Sequence, residues 1–558
     1  MAEQLNKMSR EMTEGVAKTA NRAMLRAVGF NDDDFSKPIV GVASAGSEVS
    51  PCNYHLNELA EWTKEPLRRR GTMPLQFNTF VVTDGEAMGH EGMKCSLVSR
   101  DTIADVIELV ARGHRMDALL GLGGCDKTIP GTVMALARLN LPSLFVYGGT
   151  ILPGRYRDRD VDIVSAFEAV GAVSKGMITE EERHGIECAA CPGPGACGGM
   201  YTANTMASAM VALGMALPGN ASLPAVDPAK RAEMERAAAR LADLIRRDIR
   251  PRDIMTRPAF ENAIRVVMAL GGSTNAVLHL LALAREAEVP LSIDDFNPFS
   301  ETTPILCDMK PAGKYVMNDL HRVGGVEAVM KMLLERGLLH GDCLTVTGKT
   351  LAENLADVKS APADQDVIHA LSRPVRVTGP IVILKGNLAE DGAVLKTCGL
   401  QEVEHTGPAR VFEREEDALA AILAGKIKKG DTVVIRYEGP RGGPGMREML
   451  APTSAIAGAD LLNHVALITD GRFSGGSHGM VVGHIAPEAQ EGGLIALLRD
   501  GDLVTISASR KLLSVDLDRA EIDRRRSGWR PREIAYTHGA LYKYARLVSS
   551  ASRGAVTS

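Results

Sequence analysis

The chain has 558 residues, 45% hydrophobic and 4% aromatic, with a formal net charge of −5. A single core cannot serve that length, because cores stop growing at about 250–300 residues. No run in the sequence approaches the ~20 apolar residues of a membrane span, and the charge balance offers no general attraction to nucleic acid or acidic membranes.

The opening residues Met1 to Lys7 lack the apolar core of a secretory signal, and the cysteine count of nine is odd. Reduced cysteines and a cytoplasmic location are therefore expected. The basic runs Arg68–Arg70 and Arg524–Arg526 read as solvated helix faces.

The β-branched run Pro38–Ala43 predicts a strand, followed by a Gly/Ser loop and a helix over Tyr54–Arg69. A strand over Leu75–Val82 and a loop over Thr83–Met93 come next. The helix Thr102–Arg112 carries Ile103, Val106, Ile107 and Val110 on one face. A strand over Ala118–Leu122 leads into Gly123-Gly124-Cys125, then a helix opening near Pro130 and running to Arg138, then a strand over Ser143–Tyr147. This alternation predicts a mostly parallel sheet covered by helices. Thr202–Ala287 reads as mainly helical, with helices over Pro228–Arg247, Phe260–Leu270 and Asn275–Glu288.

Past Pro362 the character changes. Val375–Lys385, Arg410–Phe412, Thr432–Arg436, Val465–Thr469, Leu503–Ile506 and Leu512–Val515 read as short strands between turn signals such as Glu390-Asp391-Gly392. The fold class is therefore α/β: a helix-covered domain over residues 1–373 and a β-rich domain over 374–558, divided near Arg373-Pro374. The small polar stretch Ser549–Ser558 is expected to be a loose tail.

Two familiar motifs are declined. Gly193–Gly198 fits G-x-G-x-x-G, but no strand precedes it and Pro192 and Pro194 stiffen the turn. Gly121–Thr128 nearly fits a P-loop, but Asp126 stands at the second glycine and would repel phosphate. The Cys188-x-x-Cys191 pair lies in a Pro/Gly setting that does not suit a thioredoxin-like role, although it could join Cys197 in a local cluster.

Three other cysteines carry more. Cys95, Cys307, Cys343 and Cys398 read as small apolar residues. Cys52, Cys125 and Cys197 sit among Pro, Gly, Asn and Asp, residues suited to backbone turning around a site. Thiolates select zinc or iron–sulfur clusters, and carboxylates select magnesium. If three thiolates converge on a cluster, one iron is short of a ligand, whereas an electron-transfer cluster normally has four. The Cys125-Asp126 step would bring a soft and a hard metal within roughly 10 Å of each other. Asp126 and Asp84 both follow predicted strands, where open α/β sheets bind ligands, although Asp84 could equally be a turn former. Lys127 is either a surface or substrate-binding lysine or a carbamate, which is an oxygen ligand. The Gly/Pro-rich loops Glu438–Glu448 and Asp470–Gly479 read as functional loops.

Pro51-Cys52-Asn53, Thr83–His90, Cys125–Gly131, Cys197–Met206, Tyr437–Leu450 and Asp470–Gly479 resemble the family of dihydroxy-acid, sugar-acid and 6-phosphogluconate dehydratases. The resemblance spans nearly the whole chain. It implies a [2Fe–2S] cluster on Cys52, Cys125 and Cys197, with Cys52 favouring that form over [4Fe–4S]. It implies Mg²⁺ on Asp84, Asp126, Glu448 and a carbamylated Lys127. Ser474 is implied as the catalytic base, with Arg472 a candidate to stabilise its alkoxide; His90 and His478 are more conventional bases. The second domain would be a swivelling barrel, and the protein a homodimer or homotetramer.

The implied reaction is that of a hydro-lyase in valine and isoleucine biosynthesis. It dehydrates 2,3-dihydroxy-3-methylbutanoate and 2,3-dihydroxy-3-methylpentanoate to 2-keto acids. The cluster would act as Lewis acid on the C3 hydroxyl, magnesium would stabilise the enolate, and the serine alkoxide would remove the C2 proton. The alternatives are a sugar-acid dehydratase of the same family, an iron–sulfur sensor or electron carrier, and a zinc-stabilised interaction protein.

Overall fold

The structure is a computed structural model that describes residues 4–174, 176–400, 404–477 and 479–558. Among the described residues no helix is long and apolar enough to cross a membrane.

The first half is built on a four-stranded sheet of β1 (Ile39–Ser44), β2 (Met73–Asn78), β3 (Ala118–Gly123) and β4 (Ser143–Tyr147), in the order β2-β1-β3-β4. Every pairing is parallel. β1, β3 and β4 are buried along their whole length, which explains their unbroken apolar runs: helices cover both faces of such a sheet. Six helices matter for the site. They are α1 (Leu56–Arg69), α2 (Lys94–Gly113), α3 (Thr128–Leu139), α4 (Glu180–Ala189), α5 (Thr202–Ala212) and α6 (Asn275–Glu286). α5 is apolar or small on all sides and fully buried, and α6 is apolar along most of its length and buried apart from Arg285.

The second half closes into an eight-stranded barrel. Its strands are β5 (Ile381–Gly386), β6 (Ala389–Lys396), β7 (Glu404–Phe412), β8 (Thr432–Ile435), β10 (Ala466–Thr469), β12 (Met480–Ala486), β13 (Leu503–Ser507) and β14 (Leu512–Val515). The order around the barrel is β8-β10-β12-β6-β5-β14-β13-β7. Parallel and antiparallel pairs are mixed. Outside it, β9 (Glu448–Met449) pairs in parallel with β11 (Arg472–Phe473). The α/β class with a barrel-like second part is thus what the chain adopts.

Several local expectations are corrected. β2 ends at Asn78, so Asp84 does not follow the strand directly; it opens a one-turn helix, Asp84–Ala87. α2 begins eight residues before Thr102, at Lys94. Glu390-Asp391-Gly392 is no turn but lies inside β6, where Gly392 takes φ +115°. β12 was not anticipated.

The segment after Ser549 is packed rather than loose. Ala551, Ala555 and Val556 are buried, and Arg100, itself 0% exposed, donates to Gly554 O at 2.8 Å and Ala555 O at 2.7 Å. Ser550 and the Ala551 amide bond Glu488, while Thr557 bonds Asp101. These ten residues strap the sheet domain to the barrel.

Candidate active site

The carboxyl ends of β1 and β3 feed the loops that carry Cys52 and Cys125-Asp126. Here the two halves meet. Oxygens of Asp84, Asp126 and Glu448 lie within 4.8 Å of one another, so the three side chains could hold a metal ion. Lys127 Nζ, on a side chain 1% exposed, contacts the Asp84 carboxylate and lies 3.4 Å from Glu448 Oε2 and 3.9 Å from Asp126 Oδ2. Ser96 on α2 donates to Asp84. Arg472 Nη1 sits 2.7 Å from Glu448 Oε2 and 3.1 Å from Asn275 Oδ1, and its Nε donates to Met446 O at 2.8 Å.

The electrostatics are those of an acid cluster wanting positive charge. Burial pushes Glu448 up to about 7 and Asp126 up to about 6, against the pull of Lys127. Burial also opposes ionisation of Asp84, but Lys127 and Arg472 outweigh it and hold that carboxyl below the usual range. Thr202, the first residue of α5, favours the ionised form of Asp126, while its hydroxyl meets Ser273 Oγ at 3.0 Å and accepts from Asn275 Nδ2 at 3.0 Å. A divalent cation would replace the retained protons, and an all-oxygen donor set of this kind suits a hard ion.

The three thiols converge beside this cluster. Cys52 and Cys125 are buried, Cys197 half-buried. The Cys52 thiol contacts both partners. Cys125 favours its thiolate, Cys197 and burial oppose it, and the net effect lifts it well above the ordinary thiol range. Cys125 is raised too, by Cys52 and by burial. Buried thiols held in the protonated form are what a cationic cluster would deprotonate on binding.

Two glycines let the loops close. A Cβ on Gly124 would fall 2.1 Å from Cys52 O, and Gly195, at φ +125°, donates its N–H to Pro51 O at 2.9 Å. Asn204 on α5 then ties down the Cys197 loop through Cys197 O at 2.7 Å and Gly199 O at 2.8 Å. The Thr83 hydroxyl lies 3.7 Å from Cys125 Sγ, next to Asp84, so thiol and carboxylate sets share neighbours.

Ser474 follows β11 on a loop pressed against α5: a Cβ on Gly475 would meet Tyr201 Cα at 3.1 Å and Thr202 N at 3.2 Å. Its Oγ accepts from Gly476 N at 3.3 Å. Arg472 makes no hydrogen bond to Ser474: its Nε and Nη1 are engaged by Met446, Asn275 and Glu448, and its buried Nη2 has no partner among the described residues. His90 is exposed, with Nε2 bonded to Glu86 O and Nδ1 to Gly92 N, so neither ring nitrogen is free. His478 lies outside the described residues. Cys188 and Cys191 are exposed, Cys188 Sγ facing His184 Nε2 at 3.7 Å. The Gly193–Gly198 motif follows α4 rather than a strand.

Sequence reasoning passed over Ser96 and Asn275, which lie on helices with no local mark of function, and gave Thr202 no role although it lies within Cys197–Met206.

A parallel sheet whose carboxyl end meets a barrel at a cluster of three carboxylates, with thiols alongside, offers a site for metal-assisted chemistry on a small oxygen-bearing substrate. Residues 37–354 match the family model described as dihydroxy-acid/6-phosphogluconate dehydratase N-terminal, and residues 366–555 match its C-terminal counterpart. Curated proteins named dihydroxy-acid dehydratase are similar throughout. That of Chloroflexus aurantiacus (strain ATCC 29366 / DSM 635 / J-10-fl) is 59% identical over 553 residues, 99% of each chain. Those of Thermosynechococcus vestitus and Nitrosomonas eutropha are 58% and 57% identical over the same length, again 99% of each chain. The chain belongs to the dihydroxy-acid/6-phosphogluconate dehydratase family.

Proposed function

We propose that this protein dehydrates 2,3-dihydroxy-3-methylbutanoate and its six-carbon homologue to the 2-keto acids. The observation that carries the reading is the buried Asp84–Asp126–Glu448 set lying next to three convergent thiols. Similarity to relatives named for dihydroxy acids supports the substrate class.

Cys52, Cys125 and Cys197 would hold a [2Fe–2S] cluster, and Asp84, Asp126, Glu448 and a carbamylated Lys127 would hold Mg²⁺. When bound, these groups supply Lewis acidity toward the oxygens of the substrate. The carbamate has an electrostatic logic: it exchanges a buried cation for a fourth anionic oxygen donor, which suits the site only when a divalent ion is there. Arg472 holds Glu448 in place, and Thr202 favours the ionised form of Asp126. Ser474, in its alkoxide form, takes the C2 proton; the C2–H electron pair forms the C2–C3 double bond as the C3–O bond breaks, the C3 hydroxyl departs as hydroxide and is released as water with the proton that Ser474 took up, and the enol tautomerises to the 2-keto acid. Burial of the acid cluster keeps bulk water from competing.

The domain division at 373/374 is retained, supported by the barrel's first strand beginning at Ile381. A homodimer or homotetramer and a cytoplasmic location complete the proposal, on the family resemblance.

The test is a 2-keto acid assay after anaerobic cluster reconstitution with Mg²⁺, run on the branched acid and on gluconate. Turnover of the branched acid is expected. Preference for gluconate would move the reading to a sugar-acid dehydratase. Reversible reduction without dehydration of either acid would leave an electron carrier.

A further inference from the structure

Outside the acid and thiol sets, one buried cation has no counter-ion among the described residues. Lys396 ends β6 with only 5% of its surface exposed. Its Nζ donates to Gly475 O at 2.8 Å. The ionisable group nearest in influence is the thiol of Cys398, and burial draws the lysine's pKa below its ordinary range. Burying an ammonium without a carboxylate is unfavourable, and an apolar side chain would fill the same space without that penalty.

What the ammonium touches gives the reason. The carbonyl of Gly475 and the amide of Gly476 are the two ends of one planar peptide. The carbonyl end accepts from Lys396 at 2.8 Å, and the amide end donates to Ser474 Oγ at 3.3 Å. A cation on the oxygen of a peptide makes its N–H a stronger donor, because hydrogen bonds in a chain polarise one another. The peptide is also backed closely, since Gly475 packs on the start of α5, where a Cβ would meet backbone at 3.1–3.2 Å. At 3.3 Å the bond to a neutral hydroxyl is long. It can shorten when the oxygen becomes anionic, as charge-assisted bonds do.

We infer that Lys396 is a positioning residue for Ser474, acting through the 475–476 peptide to stabilise the serine oxygen in its anionic form. This rests on the proposal that Ser474 is the base. It supplies what Arg472, engaged with Glu448, does not.

The experiment is a double-mutant cycle on the full-length, metal-loaded protein with Lys396→Met, Ser474→Ala and the double variant, and Lys396→Arg as the conservative control. Lys396→Met is expected to lower kcat by about ten- to a hundredfold, somewhat less than direct loss of an oxyanion donor. KM, iron content and melting temperature should stay near those of the parent. The primary isotope effect of a C2-deuterated substrate on kcat should rise, because proton removal becomes the slow step. Lys396→Arg should recover most of the rate. In the Ser474→Ala background the lysine change should add nothing. Full activity of Ser474→Ala would remove the base assignment and this inference with it. An inactive Ser474→Ala alongside an unimpaired Lys396→Met would overturn only the role of Lys396. So would a Lys396→Met loss that tracks iron content or melting temperature. If Lys396→Met does not fold, Lys396→Arg decides: a parent-like kcat with a parent-like isotope effect supports the relay, and a loss of kcat with no rise in the isotope effect overturns it.

Discussion

Glu448 and Arg472 are register partners on two parallel two-residue strands, and the guanidinium lies 2.7 Å from the carboxylate. They are 24 residues apart in sequence, on loops too rich in glycine to hold an orientation by themselves. The backbone pairing sets the side chains side by side, and Asn275 on α6 braces the arginine from the other domain. Glu448 is thus delivered to Asp84 and Asp126 already aimed.

Arg472→Met should therefore weaken metal binding before anything else. Outer partners of metal ligands typically contribute about 10–100-fold in affinity. Calorimetric titration of the cluster-loaded protein with Mg²⁺ should show a loss in that range. An unchanged affinity would mean that Glu448 needs no such brace.

Gly124→Ala should disrupt the thiol centre while sparing the fold. The added Cβ would sit 2.1 Å from Cys52 O, so the Cys52 and Cys125 loops must separate. Overpacking of this kind destabilises by about 1–3 kcal/mol, well short of unfolding a domain of ordinary stability. Reconstituted protein should carry markedly less iron and sulfide per chain, with an unchanged far-ultraviolet dichroism spectrum.

His484 should make the protein acid-sensitive. Burial, aided by Arg472, holds its pKa down to about 3. The unfolded chain binds a proton near pH 6.5 that the native state refuses, so stability is lost as pH falls from about 6.5 toward 3. At pH 5 the loss amounts to about 2 kcal/mol. Asp470 and Glu415, both pushed up to about 7 by burial, act with opposite sign in the same window. The quantity to measure is therefore the difference between the parent and His484→Asn. Asparagine tolerates the φ of +57° at this position. Urea unfolding at pH 5 and 7.5 should show the variant gaining on the parent as pH falls.

Removal of residues 549–558 should destabilise the whole chain. It strips the carbonyl partners from Arg100 and two donors from Glu488, both buried. Arg100 keeps its ion pair with Asp101, and each hydrogen bond lost to a charged group removes about 1.5–3 kcal/mol. The denaturation midpoint should fall accordingly, and Thr557→Ala alone should fall much less.

The loops of the site were legible because their composition is abnormal. Gly123-Gly124-Cys125-Asp126 follows an apolar strand, and no packing demand explains a thiol beside an acid there. Asp84 was legible as a residue but not as a position, because β2 stops at Asn78 and a separate helical turn presents the carboxylate. β6 was misread at Gly392, since a positive φ inside a strand looks in sequence like the end of one. The strap after Ser549 was missed because its bonds are made mostly by backbone atoms, which leave no trace in side-chain composition.

Residue chemistry alone thus determined the order of a helix-covered sheet followed by a β-rich part, and which loops bear thiols and carboxylates, because strand periodicity and Gly/Pro turns are properties of neighbours along the chain. Which groups touch was decided only by the tertiary structure. Lys396 against the Gly475 carbonyl, Arg472 on Glu448 rather than Ser474, and Arg100 under the final strap are each set by how two distant segments pack. Burial then supplies the low-dielectric setting in which those few contacts govern charge.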